Sequence, residues 1–169
     1  MKALDLRHVL TNVPWAVVGG VATRAYMAER ATLDLDILVH QRDSGAIRSK
    51  LEQAGCKFQQ PSLIGRSTWK APDGRMLDVI ERDDAWVEEA LRSPSSDPQG
   101  LPVLRLPFLV LMKVQSSRTQ DLADVSRMLG GADEDTLAHV LRVVREYLPE
   151  SVDDVQSLIQ LGKLERRQQ

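Results

Sequence analysis

The chain has 169 residues, with 22 lysine and arginine residues against 24 aspartate and glutamate residues and a formal net charge of −2. Hydrophobic residues make up 43% and charged residues 27% of the chain, which favours one globular domain with a small added lobe and excludes disordered, collagen-like and coiled-coil classes. Because no overall positive potential is present, tight nonspecific binding to nucleic acid is also excluded.

Cysteine content and hydropathy restrict the compartment. Cys56 is the single cysteine, so an internal disulfide and a cysteine-based zinc cluster are excluded. The longest clean apolar run, residues 106–112, is too short to cross a bilayer, and the N-terminus lacks the apolar core of a signal peptide. We therefore expect a cytoplasmic protein without a membrane partner.

The first part of the chain alternates between strand and helix patterns, separated by glycine and proline. An opening helix is predicted within 3–12, where leucines and a valine follow a loosely helical spacing before Pro14. The predicted strands lie at 15–18, 32–39, 56–60, 65–71 and 76–81. The remaining predicted helices of this part lie at 21–30, 44–53 and 83–91.

A loop rich in serine and proline, residues 92–100, separates this part from a purely helical pattern. Apolar residues at intervals of three and four then predict helices at 106–117, 120–129, 134–147 and 152–164. The whole pattern predicts an α/β (α+β) fold. In this fold a mixed β-sheet flanked by helices forms the core over residues 1–104, and a C-terminal helical lobe over 105–169 packs on that core.

Two acids interrupt the apolar strand at 32–39. Asp34 and Asp36 lie two positions apart, and the period of a strand points both carboxylates to the same face. Two like charges at this separation repel unless a proton or a cation lies between them, and Mg²⁺ prefers carboxylate oxygens. The pattern is therefore consistent with a divalent-cation site and, equally, with a strand face that meets solvent.

A glycine pair breaks the chain between the strand at 15–18 and the helix that follows it. Gly19-Gly20 would expose backbone N–H groups at the positive end of that helix, as phosphate-binding turns do. The alternative is a tight turn that needs a positive φ and binds nothing. If the strands 15–18 and 35–39 end side by side, however, the turn lies next to the two acids, and phosphate beside Mg²⁺ indicates nucleotide chemistry.

Asp78 is a third acid within an apolar strand, because it lies at the centre of Met76-Leu-Asp-Val-Ile80. Transfer of a phosphoryl or nucleotidyl group by two metal ions requires such a further carboxylate near the acceptor hydroxyl. The competing interpretation is a strand aspartate paired with Arg75 or Arg82.

Lys113 interrupts the apolar stripe of the helix that begins at Leu106, so we expect it to point inward. It either extends past the rim of the core or reaches a triphosphate as a point charge. Asp121 and Asp124 follow eight and eleven residues later. They either pair with Lys113 or cap the next helix.

Taken together, these motifs resemble the signature of the DNA polymerase β nucleotidyltransferase superfamily. The signature is a Gly-Gly or Gly-Ser turn, a helix, and a strand with two metal-binding acids. The branch that the sequence resembles contains abortive-infection and type IV toxin nucleotidyltransferases. The segments that carry this resemblance are Gly19-Gly20, Arg30-x-Thr32-x-Asp34-Leu-Asp36, Leu77-Asp78-Val79, Leu106-Pro107 leading to Lys113, and Arg118-x-x-Asp121-Leu-x-Asp124.

The resemblance implies a nucleotidyltransferase-type sheet and roles for individual residues. Asp34 and Asp36 would bind two Mg²⁺ or Mn²⁺ ions when the NTP is bound, and Asp78 would bind the catalytic one. The residues implied in nucleotide binding are Gly19, Gly20, Arg30, Thr32 and Lys113. Asp121 and Asp124 would contact Lys113 and position it, without binding the nucleotide themselves.

The reaction implied is attack by an acceptor hydroxyl on the α-phosphorus of an NTP, with pyrophosphate as the leaving group. RNA, protein and a small hydroxylated molecule remain open as acceptors, and a toxin-like member would have a cognate antitoxin or partner protein. The tRNA 3′ end modified by toxin members matches no feature of this chain, which lacks an added basic lobe. The alternative function is a catalytically inactive nucleotide-binding or protein-interaction module on the same fold.

Overall fold

A computed structural model describes residues 4–27, 34–63 and 65–168. Within these ranges the chain divides into two units. The first lies within Met1–Ala22 and Ala31–Leu104, and the second within Thr23–Arg30 and Arg105–Gln169. None of the helices in the described ranges combines the length and the apolar character needed to cross a membrane.

The first unit contains a seven-stranded sheet in the order β3-β4-β5-β2-β1-β7-β6. The strands are β1 (Trp15–Val18), β2 (Leu35–His40), β3 (Lys57–Leu63), β4 (Arg66–Lys70), β5 (Met76–Arg82), β6 (Ser95–Ser96) and β7 (Pro102–Val103). Strand β2 pairs with β5 in parallel, as β1 does with β7, whereas the other neighbours are antiparallel. The mixed sheet confirms the predicted fold class.

Burial differs between the strands in a way that positions the site. All four residues of β1 are buried, as expected for a strand covered on both faces. In β4 and β5 burial alternates, because only one face of this part of the sheet packs against the core. Ser67, Trp69 and Val79 lie on the covered face. Thr68 and Asp78, which alternate with them along β4 and β5, lie on the half-buried face.

Four helices interrupt the strands: α1 (Leu6–Val9), α2 (Gly19–Thr23), α3 (Ser44–Gln53) and α4 (Val87–Arg92). The prediction of α3 is confirmed, whereas α1 is one turn long, with its first turn capped by the Asp5 carboxylate. The predicted helix at 21–30 is wrong in its bounds. It begins two residues earlier and ends at Thr23, whose carbonyl accepts the amides of Tyr26 and Met27 in a turn.

The second unit contains α5 (Leu106–Ser116), α6 (Thr119–Gly130), α7 (Glu134–Tyr147) and α8 (Val152–Arg167), as the periodicity predicts. Helix α5 ends where Ser117 adopts a left-handed φ of 53°. Helices α6 and α8 cross at their glycines, since a Cβ on Gly130 would lie 2.8 Å from the Cα of Gly162. Their backbones therefore approach more closely than larger residues would allow.

Candidate functional site

Two of the predicted acids lie side by side in the sheet. The parallel register of β2 and β5 places Asp36 opposite Asp78, although 41 residues separate them in the sequence. Both side chains lie on the half-buried face of the sheet. Because their carboxylates are alike in charge, this arrangement requires a compensating cation.

Arg66 supplies the positive charge. Its Nη2 atom lies 3.2 Å from Oδ1 of Asp36 and also donates to Oδ2 of Asp78. Thr68 lies directly opposite Asp78 in β4, and its Oγ1 donates to Oδ1 of Asp78 over 2.6 Å. The two oxygens of Asp78 therefore have different partners, and the carboxylate is held in one orientation.

The acids around Arg66 change the pKa of its guanidinium group. Burial lowers the pKa of its guanidinium, but the hydrogen bond to Asp78 and the charges of Asp78, Asp36 and Asp34 outweigh burial and raise it overall. Arg66 therefore stays protonated, and three acids contribute to the potential that it experiences.

The glycine turn lies against Asp36. Val18, the last residue of β1, is the cross-strand partner of Asp36, and Gly19 follows it with a φ of +66°. A Cβ added to Gly19 would lie 2.9 Å from Cγ of Asp36, closer than real side chains allow. Glycine is therefore needed here both for the left-handed backbone and for the space beside the carboxylate. Gly20 continues the same turn into α2.

Asp34 precedes β2 at an exposed position. Its charge reaches Arg66, but the described residues contain no group of three or more histidine, cysteine or acidic side chains arranged to hold a metal ion. The pair of Asp36 and Asp78 nonetheless has the hard oxygen donors that Mg²⁺ prefers. Mg²⁺ commonly uses one or two protein carboxylates and takes its other ligands from phosphates and water. The residues present thus fit a magnesium ion that takes its remaining ligands from water and from a phosphate group.

The acid Asp78 has a different ion-pair partner from the two that the sequence suggested. Arg75 pairs with Asp73 over 2.7 Å, and Arg82 pairs with Asp84 over 2.6 Å. Neither is the partner of Asp78, because each is held by an acid two residues away in the sequence, whereas Arg66 approaches Asp78 across the sheet.

Arg66 and Thr68 were missed by the sequence analysis. Both lie on the same face of β4, two residues apart, and that alternation was the available signal. The sequence does not indicate which strand lies beside β5, so it could not show that this face meets Asp78.

Lys113 lies in the second unit with the two acids that follow it. Its Nζ lies 3.0 Å from Oδ1 of Asp121 and 2.9 Å from Oδ2 of Asp124. Of the two alternatives for these acids, the structure shows the pairing with Lys113. Burial raises the pKa of Asp121, but hydrogen bonds from Ser116, Lys113 and Arg118 outweigh burial and lower it overall.

The structure thus brings together Gly19, Asp36 and Asp78 in the first unit, and Lys113, Asp121 and Asp124 in the second. Arg30 and Thr32, which the motif also places in nucleotide binding, lie outside the described residues.

The sequence matches no protein-family model and no curated protein. Among solved structures, the antibiotic-resistance factor ANT(2″)-Ia is similar to this chain, with 15% sequence identity and a TM-score of 0.49. The match covers 96% of this chain and 95% of that chain. The lincosamide antibiotic adenylyltransferase LnuA, bound to lincomycin, has 18% identity, 71% and 87% coverage, and a TM-score of 0.45.

A CCA-adding enzyme from Thermotoga maritima, complexed with tRNA, has 16% identity, covers 85% of this chain and 42% of its own, and has a TM-score of 0.42. At such identities and TM-scores these similarities decide nothing about activity, which has to be inferred from the residues of the site.

Proposed function

We propose that this protein is a metal-dependent nucleotidyltransferase. It moves an NMP from an NTP to an acceptor hydroxyl, and pyrophosphate leaves. The observation that carries the proposal is the pairing of Asp36 with Asp78 across β2 and β5, directly beside the Gly19 turn. An acid pair next to a backbone turn without side chains is the arrangement that triphosphate and its counter-ion require.

Each residue of the site has a proposed part in the reaction. Asp36 and Asp78 would bind the divalent ion that neutralises the triphosphate. Asp34 would join them as a ligand when the nucleotide binds. Thr68 orients Asp78 through its hydrogen bond. Because Gly19 and Gly20 carry no side chains, the triphosphate can approach the backbone of the turn.

A bound divalent ion, Mg²⁺ or Mn²⁺, would neutralise the developing charge and lower the pKa of the acceptor hydroxyl. The protein itself supplies position and electrostatics, since little covalent chemistry is required of its side chains. The sequence resemblance alone proposes Lys113, Arg30 and Thr32 as phosphate contacts, and the described partners of Lys113 are Asp121 and Asp124.

The acceptor is proposed only by class, as a hydroxyl of RNA, of a protein or of a small molecule. A toxin-like role with a cognate partner protein belongs to the same proposal and rests on the sequence resemblance alone. The described site supports the proposed transfer chemistry, and an experiment has to identify the acceptor.

The test is to incubate the purified chain with each α-³²P-labelled NTP, Mg²⁺, and total cellular RNA or protein. We expect label to enter one acceptor class and pyrophosphate to be released. The Asp34→Asn/Asp36→Asn double variant should transfer nothing. Asp43→Asn is the matched control, because Asp43 is an acid of the same unit that lies outside the acid pair.

Two results would contradict the proposal. Equal transfer by the wild type and the double variant would show that the acids are not used. The second result is that neither the wild type nor the variants release pyrophosphate, while calorimetry shows that the wild type binds the NTP and the double variant does not. The chain would then be an inactive nucleotide-binding module.

A further inference from the structure

Arg66 lies where the oxygens of the two paired acids converge. One nitrogen, Nη2, contacts both Asp36 and Asp78, so a single positive charge bridges the pair. Under the proposed function this is the place that a divalent cation shared by the two carboxylates would take. The guanidinium and a divalent ion cannot occupy this one position together, because the two like charges would be in contact and repel each other.

The contacts of the acids permit Arg66 to leave without disturbing them. Arg66 uses Oδ2 of Asp78, whereas Thr68 uses Oδ1. Loss of the guanidinium therefore leaves the hydrogen bond that orients the Asp78 carboxylate and removes one donor from each acid.

The surroundings of Arg66 also provide a place for the displaced side chain. A cavity of about 420 Å³ is lined by Arg66, Gly65, Ile80 and Gln41, together with the acids Glu81 and Asp83. The Arg66 side chain is 31% exposed, so it is not enclosed by the core. An arginine that rotates into this cavity moves to a wall that contains the carboxylates of Glu81 and Asp83, and the Arg82 guanidinium on the same wall is paired with Asp84.

We propose that Arg66 is an internal counter-cation of the acid pair, which holds Asp36 and Asp78 in place in the metal-free protein and is displaced when a divalent ion binds. This inference rests on the proposed function, since it assigns the acid pair to a metal ion. Arg66 is thus a positioning residue that lowers the affinity of the site for metal. Metal binding has to overcome the ion pairs that it replaces.

This role predicts two effects of opposite sign. Without Arg66 the two carboxylates repel each other, so the metal-free protein becomes less stable. The same variant binds a divalent ion more tightly, because no internal cation has to be displaced. An arginine with a purely structural role would lower stability and metal affinity together.

The experiment compares the wild type with Arg66→Met, which keeps an unbranched apolar stem and removes the charge, and with Arg66→Lys, which keeps the charge. Mn²⁺ binding to the full chain is measured by electron paramagnetic resonance, and thermal unfolding is measured in EDTA and in excess Mg²⁺. We expect Arg66→Met to bind Mn²⁺ at least about tenfold more tightly and to unfold at a lower temperature in EDTA. Excess Mg²⁺ should remove that difference in unfolding temperature, and Arg66→Lys should fall between the two proteins.

A measurement on the wild type covers the case in which Arg66→Met does not fold. The guanidinium ¹⁵N NMR signal of Arg66 is identified by its absence in Arg66→Lys. When Mg²⁺ is added, this signal should shift, and its line shape should report faster rotation of the guanidinium group. An unchanged signal would overturn the role of Arg66.

The remaining outcomes separate this inference from the proposed function. Mn²⁺ binding of equal or lower affinity in Arg66→Met overturns the displacement of Arg66 and leaves the metal site standing. Absence of Mn²⁺ binding in the wild type and both variants, with and without ATP, overturns the metal site and this inference together.

Discussion

Each unit of the chain contains a cation between two carboxylates, and the two clusters differ in burial. Arg66, Asp36 and Asp78 lie on a strand face with side chains between 15% and 31% exposed. The cluster of Lys113, Asp121 and Asp124 lies between helices with side chains between 3% and 11% exposed.

Burial determines what such a cluster can do. A buried ion pair that loses one partner leaves an uncompensated charge away from water, so its members are bound to each other permanently. A half-buried pair costs less to open, since water and other ions replace the lost partner. We therefore expect the cluster of the sheet to exchange its cation and the cluster of the helices to support the fold.

The largest expected effect is on catalysis. Asp36→Asn should lower NMP transfer about a thousandfold, or about 4 kcal/mol of transition-state stabilisation, since a carboxylate that holds the positive charge is lost. Folding should remain intact, because Arg66 keeps its pair with Asp78. Single-turnover transfer and urea unfolding measure the two quantities. Full activity in the folded variant would eliminate Asp36 from the site.

The next effect is on stability. Lys113→Met should lower the free energy of unfolding by about 3 kcal/mol, because two buried carboxylates lose the ammonium group between them, although Asp121 keeps its ion pair with Arg118. Arg66→Met, measured in EDTA, should lower it by less. Replacing Lys113 by Met and Asp124 by Leu together should recover part of the loss. Equal losses in the two single variants, measured by urea unfolding, would contradict the contrast between the clusters.

The pH dependence of stability should reflect Asp121. Although burial raises its pKa, the pKa in the folded chain lies below the ordinary aspartate value of 3.8, because hydrogen bonds from Ser116, Lys113 and Arg118 outweigh the effect of burial. The stabilisation from its charged form is therefore complete above about pH 4 and is lost as the pH falls through the folded pKa. Asp121→Asn should be less stable than the wild type at pH 7, and the difference should shrink below pH 4. A difference that stays constant from pH 7 to pH 2 in urea unfolding would be inconsistent with this.

The smallest effects separate two hydroxyl donors. Thr68 donates to Asp78 in the first cluster, and Ser116 donates to Asp121 in the second. Thr68→Val and Ser116→Ala should each remove about 1 kcal/mol of stability. Only Thr68→Val should also weaken Mn²⁺ binding, by about tenfold, because the Thr68 hydroxyl orients Asp78, which is a proposed metal ligand. Weaker Mn²⁺ binding in Ser116→Ala would remove the distinction.

Much of the secondary structure could be predicted from local patterns. The helices of the second unit begin and end within about three residues of the predicted bounds, because apolar spacing, glycine and proline act over one or two turns. The helix after Gly20 was predicted too long, since its residues favour a helix individually and the pattern contains no breaker before residue 30.

The sequence by itself determined the alternation of strands and helices, the acids within apolar segments and the glycine turn, since each depends on residue types close together along the chain. The tertiary structure alone decided which residues meet: that Asp78 lies opposite Asp36, and that Arg66 bridges them. The physical reason is that the pairing and register of distant strands depend on packing of the whole sheet, which no local pattern encodes.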